Sequence, residues 1–134
     1  MRGRSLRGLM VGLGALLASS LAAQASFVSL EPPSSLRAGE RATAVALIDL
    51  PTDVPVILTP RVNGTALDIV RGRLLRSDAL DPDARPLRFR VPLVARSAGT
   101  AILRVHVASF RCEGDECEPI EEEASATLRI QSRD

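Results

Sequence analysis

Two cysteines, Cys112 and Cys117, stand in the stretch RCEGDECEP at a C-x4-C spacing, and they are the only thiols of the chain. Such a pair can form a redox couple, staple a loop or contribute to a metal site. In an exported protein the two thiols are expected to form a disulfide. Closing so short a loop adds only about 2 kcal/mol in the chain-entropy model, which favours a redox role. Single inert bridges are common in secreted domains, so a structural staple stays open.

Seven carboxylates crowd the cysteines in the sequence: Glu113, Asp115, Glu116, Glu118, Glu121, Glu122 and Glu123. Their negative charge opposes thiolate formation and is expected to raise the pKa of both thiols. Because the thiol is favoured over the thiolate, the pair is predicted to be a poor oxidant of other proteins. The acidic stretch is interpreted as a solvated loop, with a docking patch for a basic partner as the alternative.

The other candidates for chemistry are one histidine and three aspartates. His106 is the only histidine, and six strand residues place it roughly 20 Å from Cys112, so it is predicted to be an exposed strand residue. One histidine and two cysteines lack the fourth ligand of a zinc site. An Asp-Pro turn explains Asp78, Asp81 and Asp83 better than a calcium site does. The sequence therefore predicts no cofactor and no metal site.

The composition excludes several functional classes. All seventeen basic residues are arginines, so a Schiff-base lysine and a P-loop are absent. Trp and Tyr are also absent, which leaves no stacking platform for sugars or bases. Without the first 25 residues, fourteen arginines stand against sixteen acids, a net charge of −2. No nucleic acid and no anionic membrane is therefore expected as a partner.

The first 25 residues have the pattern of a secretory signal peptide. Three arginines precede an apolar run over residues 9–18, and a small-x-small cleavage site follows at Ala23-Gln24-Ala25. The run is shorter than the roughly 20 residues of a spanning helix. We predict cleavage after Ala25, a mature domain over residues 26–134, a periplasmic or secreted location, and no stable membrane insertion after signal removal.

The remaining sequence reads as short strands separated by turn residues. LRFRVPLVA places Leu87, Phe89, Val91 and Leu93 on one face, and its Pro92 predicts an edge position or a bulge. TAILRVHVASF repeats the alternation, with Leu103, Val105 and Val107 inward and Arg104 and His106 outward. SFVSL at the mature start and ATLRI over residues 126–130 supply the first and last strands.

Two further segments complete the predicted fold. RATAVALIDL is apolar at both parities, which is typical of a central strand whose register stays open. Residues 54–62, then Asn63-Gly64 and TALDIV, predict a β-hairpin, because Asn-Gly adopts the positive φ of two-residue turns. About seven strands in roughly a hundred residues favour an immunoglobulin-like antiparallel β-sandwich, with a small barrel as the alternative.

Several features of residues 87–130 stand together: the strand LRFRVPLVA, the Gly-led strand AGTAILRVHVASF, Phe110 two places before the first cysteine, C-x4-C-x-Pro (Cys112, Cys117, Pro119) and the closing ATLRI. This run, about two-fifths of the mature chain, resembles the N-terminal periplasmic domain of the thiol:disulfide interchange protein DsbD family. The resemblance implies an immunoglobulin-like module with Cys112 and Cys117 as the reversible catalytic pair. It also implies a thioredoxin-like periplasmic protein or a membrane electron transporter as partner.

Two functions from different classes follow from the sequence. The first is an exported thiol:disulfide exchange domain that passes reducing equivalents through Cys112 and Cys117. The second is a non-enzymatic exported β-sandwich that binds a protein or assembles at the envelope, with the disulfide pinning a hairpin. The reduction potential of the pair separates them, because structural bridges usually lie below about −300 mV.

Overall fold

The computed structural model describes residues 26–133, which form two four-stranded antiparallel sheets packed face to face. The predicted signal peptide lies outside the described residues. The strands are β1 (Val28–Glu31), β2 (Arg41–Ile48), β3 (Ile57–Asn63), β4 (Leu67–Ile69), β5 (Leu74–Leu75), β6 (Leu87–Ala95), β7 (Gly99–Glu113) and β8 (Glu116–Ile130). A 3-10 turn, Arg76–Asp78, follows β5. Within residues 26–133 no helix is long and apolar enough to cross a membrane.

The first sheet has the order β1-β2-β6-β4, and the second has the order β5-β3-β7-β8. The predicted immunoglobulin-like antiparallel sandwich is therefore confirmed, with eight strands where the pattern indicated about seven. The additional strand is β5, whose two residues pair with Ile57 and Leu58 of β3. So short a strand leaves no alternation that a sequence pattern can reveal.

The sandwich core comes from strictly alternating positions of the central strands. On β6, Leu87, Phe89, Val91 and Leu93 are fully buried, while Arg88 and Arg90 are exposed. On β7, Leu103, Val105 and Val107 are fully buried and Arg104 is exposed. Both strand faces were predicted correctly, because a strand with one buried face shows its register directly as alternation.

Pro92 lies on an interior strand, so the predicted edge position is wrong. β6 pairs with β2 on one side and with β4 on the other. The β4 ladder ends at the pair of Ile69 with Leu93, and the N–H of Val70 donates to the Pro92 carbonyl at 3.1 Å. Pro92 lacks an N–H, so it cannot donate a second hydrogen bond to the Val70 carbonyl, and β4 ends before this pair.

β2 is a central strand, as predicted, and the structure fixes its register. Ala44, Ala46 and Ile48 face the core between the sheets. Val45 and Leu47 lie on the other face and are half-buried. Odd and even positions of β2 are both apolar because the outer face of this strand is itself half-buried. The sequence alone therefore did not show which face points inward.

The predicted hairpin at Asn63-Gly64 does not form. β3 belongs to the second sheet and pairs with β5 and β7, whereas β4 pairs with β6 in the first sheet. Gly64 does have a positive φ of 92°, as an Asn-Gly turn requires. The connection carries the chain from one sheet to the other, so Leu67 is buried on the opposite side of the core from β3. Turn chemistry was recognised correctly, but it did not determine which strands pair.

The acidic stretch around the cysteines is a strand hairpin, in contrast to the predicted loop. β7 and β8 each run for 15 residues and pair along their whole length, from Gly99 opposite Ile130 to Glu113 opposite Glu116. Only Gly114 and Asp115 form the turn, and Gly114 has the positive φ of 63° that two-residue hairpin turns need. The predicted strand ATLRI is the last third of β8.

Candidate redox site at the hairpin tip

The tip of the β7–β8 hairpin extends beyond the rest of its sheet. The ladder between β3 and β7 ends at Ile57 opposite Ala108. One position further along β7, the buried Ser109 hydroxyl donates to the Pro55 carbonyl at 2.6 Å. This is the last hydrogen bond that joins β7 to the segment before β3. Residues 110–119 therefore form a two-stranded extension that leaves the hydrophobic core behind.

Cys112 and Cys117 form a disulfide across this extension, as the sequence predicted. The two residues are direct cross-strand partners, with 4.0 Å between their Cα atoms. This is the short separation of a pair whose backbone groups point away from each other. Both cysteines are exposed, so the sulfur atoms lie within reach of another protein.

The two cysteines border different clefts. Cys117 lines a cleft of about 400 Å³ together with Arg111, Glu113, Glu116 and Glu118. Cys112 lines a cleft of about 360 Å³ between the hairpin and the sandwich, whose wall includes Phe27, Leu50 and Arg85. Three carboxylates thus line the cleft of Cys117, whereas the cleft beside Cys112 is lined by apolar side chains, one carboxylate (Asp49) and the guanidinium groups of Arg85 and Arg111.

An apolar surface adjoins the disulfide on the outer face of the sheet. Phe110 and Pro119 are direct cross-strand partners one step below the disulfide on that face. Phe110 is 40% exposed. Together with Pro55, Ile57 and Ala108 these residues line a shallow groove of about 210 Å³. The aromatic residue in the sequence motif is thus part of an exposed surface and not of the core.

Two of the seven carboxylates are engaged elsewhere. Glu121 lies on the outer face and its Oε1 is 2.7 Å from Nε2 of His106, which is half-buried on the neighbouring strand. His106 is outward-facing as predicted, but it has a partner. Glu122 faces the other way and accepts the backbone N–H groups of Phe27 and Val28 at 2.7 and 2.9 Å. The prediction that all seven acids crowd the cysteines is therefore too broad.

Two of the three aspartates proposed as turn residues, Asp78 and Asp81, accept local hydrogen bonds through their carboxylates. Asp78 accepts the backbone N–H of Leu75 at 2.8 Å, and Arg71 lies 3.3 Å from the same carboxylate. The Leu75 hydrogen bond, followed by the Arg71 charge, holds the pKa of Asp78 below its ordinary value. Asp81 accepts the N–H of Asp83 at 3.1 Å, as expected for an Asx-type turn. Among residues 26–133 no three His, Cys, Asp or Glu side chains are grouped to hold a metal ion.

Two structural residues carried no recognisable sequence signal. The Arg76 guanidinium donates to the carbonyl groups of Val54, Pro82 and Pro51 at 2.8–2.9 Å, and so joins two loops to the end of β5. Glu122 fastens the start of β1, more than ninety residues earlier in the chain. Arginine and glutamate are usually surface residues, so the sequence does not separate Arg76 and Glu122 from other charged residues. Only their tertiary contacts show that they have a structural role.

No family model matches the sequence, and no curated protein matches it. Among solved structures, the chain is similar to trypsin-activated alpha-2-macroglobulin from Escherichia coli, with a TM-score of 0.51 and 15% identity over 81% of this chain. It spans 7% of that protein's length. An ASH/PapD-like domain of human CEP192 gives a TM-score of 0.45 and 15% identity, covering 92% of this chain and 97% of that domain. At this identity, the likeness to alpha-2-macroglobulin concerns the β-sandwich fold alone.

Proposed function

We propose that this protein exchanges its Cys112–Cys117 disulfide with a partner protein, as the resemblance to the N-terminal domain of the DsbD family implies. The supporting observation is the position of the bond. Both cysteines are exposed on a two-stranded extension, and neither belongs to the hydrophobic core. Exchange needs a sulfur that an incoming thiolate can approach, and the exposure of both cysteines supports such an approach.

The hairpin has little structural need for the disulfide. Its register is already set by the ladder from Gly99 opposite Ile130 up to Arg111 opposite Glu118. Glu113 and Glu116 then close the two-residue turn on the far side of the bond. The covalent link therefore adds about 2 kcal/mol at most through loop entropy. A bond that contributes so little to the fold is free to break and re-form during a reaction cycle.

The exchange conserves electrons between two dithiol–disulfide pairs. In the reduced protein, a cysteine thiolate attacks a partner disulfide, a mixed disulfide forms, and the partner's other sulfur leaves as a thiolate. The second cysteine, after losing its proton to water, attacks the mixed disulfide and releases the partner as a dithiol. Two electrons pass to the partner, and Cys112 and Cys117 return to the disulfide. In this scheme a thioredoxin-like periplasmic protein is the partner that accepts the electrons, and a membrane electron transporter supplies them for the next cycle.

The surroundings favour Cys112 as the attacking residue. Its cleft holds two arginines, Arg85 and Arg111, against one carboxylate, Asp49, which is paired with Arg85 at 2.9 Å. The cleft of Cys117 holds three carboxylates against one arginine. A thiolate is stabilised by a nearby guanidinium and destabilised by nearby carboxylates. In this proposal Cys112 attacks first, and Cys117 resolves the mixed disulfide.

The test uses single-cysteine variants and an oxidised thioredoxin-like protein. With Cys117→Ser, the remaining Cys112 is expected to trap a mixed disulfide on non-reducing gels, while Cys112→Ser traps much less. Trapping should increase with pH, since the thiolate is the attacking species. A reduction potential above about −300 mV is the second expected result. No mixed disulfide at any pH, together with a lower potential, would contradict the exchange function.

The alternative is a non-enzymatic exported binding module whose disulfide keeps the hairpin tip rigid. The exposed Phe110 and Pro119 beside the bond favour this second function, because a pinned apolar surface suits protein recognition. The two functions differ in one measurement. Reduction of the bond abolishes binding of a protein partner in the structural case, whereas in the exchange case the reduced form is the active one.

A further inference from the structure

One sheet edge in this sandwich is much longer than the other three. β1, β4 and β5 end their sheets with four, three and two residues, respectively. β8 ends the second sheet with 15 residues. Natural sandwiches usually keep edge strands short, because an open edge presents unpaired N–H and C=O groups to any other strand. The length of β8 is therefore a feature that needs an explanation.

The backbone groups on the outer side of β8 are open over nine positions. Gln131 donates to the Leu36 carbonyl and accepts the N–H of Ala38, so odd-numbered residues direct their backbone groups away from β7. Because backbone groups alternate sides along a strand, every second residue from Gln131 towards the hairpin tip also has its N–H and C=O directed away from β7. These residues are Glu121, Glu123, Ser125, Thr127 and Arg129. Within residues 26–133 no backbone or side-chain hydrogen bond engages these five N–H and C=O pairs.

Both ends of the open edge are closed. Pro119 lacks an N–H and ends the row of donors at the hairpin side. Arg37 forms a parallel bridge to Gln131 and occupies the position beside β8 at the other side. Between them, the open edge of residues 121–129 has the length of an extended segment of about nine residues, or about 30 Å. At the Arg37 end, a cleft of about 210 Å³ separates residues 32–36 from residues 127–129.

The two faces of the edge differ in chemistry. The exposed outer face carries Glu121 and Glu123 towards the hairpin tip and Arg129 at the far end. On the inner face, Ala124 and Ala126 are only half-buried, although they pack against the core. An added strand would therefore place basic residues opposite the two glutamates and apolar residues over the two alanines, at alternate positions.

We propose that the β8 edge binds an extended segment of another protein by strand addition, with arginine or lysine alternating with apolar residues. Main-chain hydrogen bonds to the five open positions provide the affinity, and the alternating side chains provide the specificity. This inference does not depend on the proposed disulfide exchange. The binding edge lies below the hairpin tip, on the side of β8 away from β7.

A second copy of this chain fits the edge poorly. Pairing two β8 strands with Glu121 opposite Arg129 would put the partner's Pro119 where Arg37 already lies beside Gln131. A shift of one hydrogen-bonded pair towards the hairpin tip puts the partner's Pro119, which lacks an N–H, opposite Arg129, and a shift of two pairs places Glu123 opposite Glu123. Like charges directly opposite each other destabilise a sheet. A short heterologous segment avoids these conflicts.

The probe is a fluorescent nonapeptide with valine at its even positions. Its odd positions, from the first to the ninth, carry glutamate, threonine, threonine, arginine and arginine. In an antiparallel alignment its glutamate lies opposite Arg129 and its arginines opposite Glu123 and Glu121. We expect saturable binding by fluorescence anisotropy. N-methylation at peptide positions 3, 5 and 7 removes the N–H groups that face β8 and should abolish binding. N-methylation at positions 2, 4 and 6 is the matched control and should leave binding intact.

Protein variants test the same edge from the other side. Thr127→Pro removes one outward N–H without removing a bond to β7, and it should weaken binding about tenfold. Thr127→Val keeps the N–H and should bind like the wild type. Glu123→Arg should weaken binding about fivefold, whereas Asp115→Arg at the turn, with the same change of charge, should not.

Three results would overturn the proposal. The first is no saturable binding of the probe to the folded wild-type protein. The second is equal loss of binding with both N-methylated peptides, which would show that the backbone groups facing β8 are not used. The third is a dimer in sedimentation that Thr127→Pro converts to a monomer, because the edge would then belong to a second copy. A result on cysteine exchange affects none of these outcomes.

Discussion

The Glu122 carboxylate accepts the backbone N–H of Val28 at 2.9 Å, across 94 residues of sequence. The same oxygen accepts the Phe27 N–H and the Ser26 hydroxyl, each at 2.7 Å. β1 lies at the edge of one sheet and β8 at the edge of the other, so this carboxylate joins the two sheets along one side of the sandwich. Charge-assisted hydrogen bonds of this kind are the stronger ones in proteins.

We expect Glu122→Ala to destabilise the protein by about 1–2 kcal/mol, because it leaves the Phe27 N–H without its acceptor and the Val28 N–H with only the longer bond to Ser26 Oγ, at 3.3 Å. The neighbouring Glu123 lies on the outer face, and Glu123→Ala should change stability by less than about 0.5 kcal/mol. Urea unfolding of both variants measures the difference. Equal effects would mean that the bond between β8 and β1 contributes nothing to the fold.

Val91→Asp should unfold the domain or cost several kcal/mol, since Val91 is fully buried and an aspartate there would lack any partner. Arg90→Asp, one position away on the exposed face, should be nearly neutral. Circular dichroism and urea melts of the purified variants distinguish the two cases. A stable Val91→Asp protein would contradict the observed register of β6.

Cys112→Ser and Cys117→Ser should each cost about 2 kcal/mol or less, because the β7–β8 ladder keeps its register without the disulfide. Wild-type protein unfolded with and without a reductant gives the matched comparison. Loss of folding in both single variants would indicate a structural bridge. That outcome would count against disulfide exchange even before any partner is tested.

Asp78 should make stability depend on pH at the acidic end. Its pKa is lowered mainly by the Leu75 N–H, so the charged form is favoured in the folded protein. The contribution is fully present above the unfolded pKa, near 4, and is lost as the pH falls through the folded pKa. Asp78→Asn should be less stable than the wild type at pH 7 and equally stable at low pH. Urea unfolding of both proteins at neutral and at acidic pH measures the difference, and a stability gap that stays the same at low pH would contradict this role of Asp78.

The mature protein should begin at Ser26 and be exported, as the charged start, apolar run and Ala-Gln-Ala site predict. Mass spectrometry of protein recovered from the periplasm or the medium checks the N-terminus. Finding the intact chain with Met1 in the cytoplasm would contradict the predicted compartment. It would also remove the oxidising environment on which the disulfide depends.

The sequence alone determined the fold class, the inward faces of β6 and β7, and the pairing of the two cysteines. Each of these depends on local information. Alternation with a period of two reports directly which side of a strand is buried, as Leu87 and Phe89 show. The cysteine pair follows from the absence of any third thiol.

Tertiary structure decided the features that depend on which distant segments meet. Asn63-Gly64 contains the residues of a hairpin turn, but β3 and β4 belong to different sheets. β3 pairs with β7, and β4 pairs with β6. Glu121, Glu122 and Glu123 are one acidic run in the sequence. The strand directs the middle carboxylate to β1 and the other two to the outer face, where Glu121 meets His106. Pairing partners and strand edges arise from contacts between residues far apart in the chain, and no local pattern encodes them.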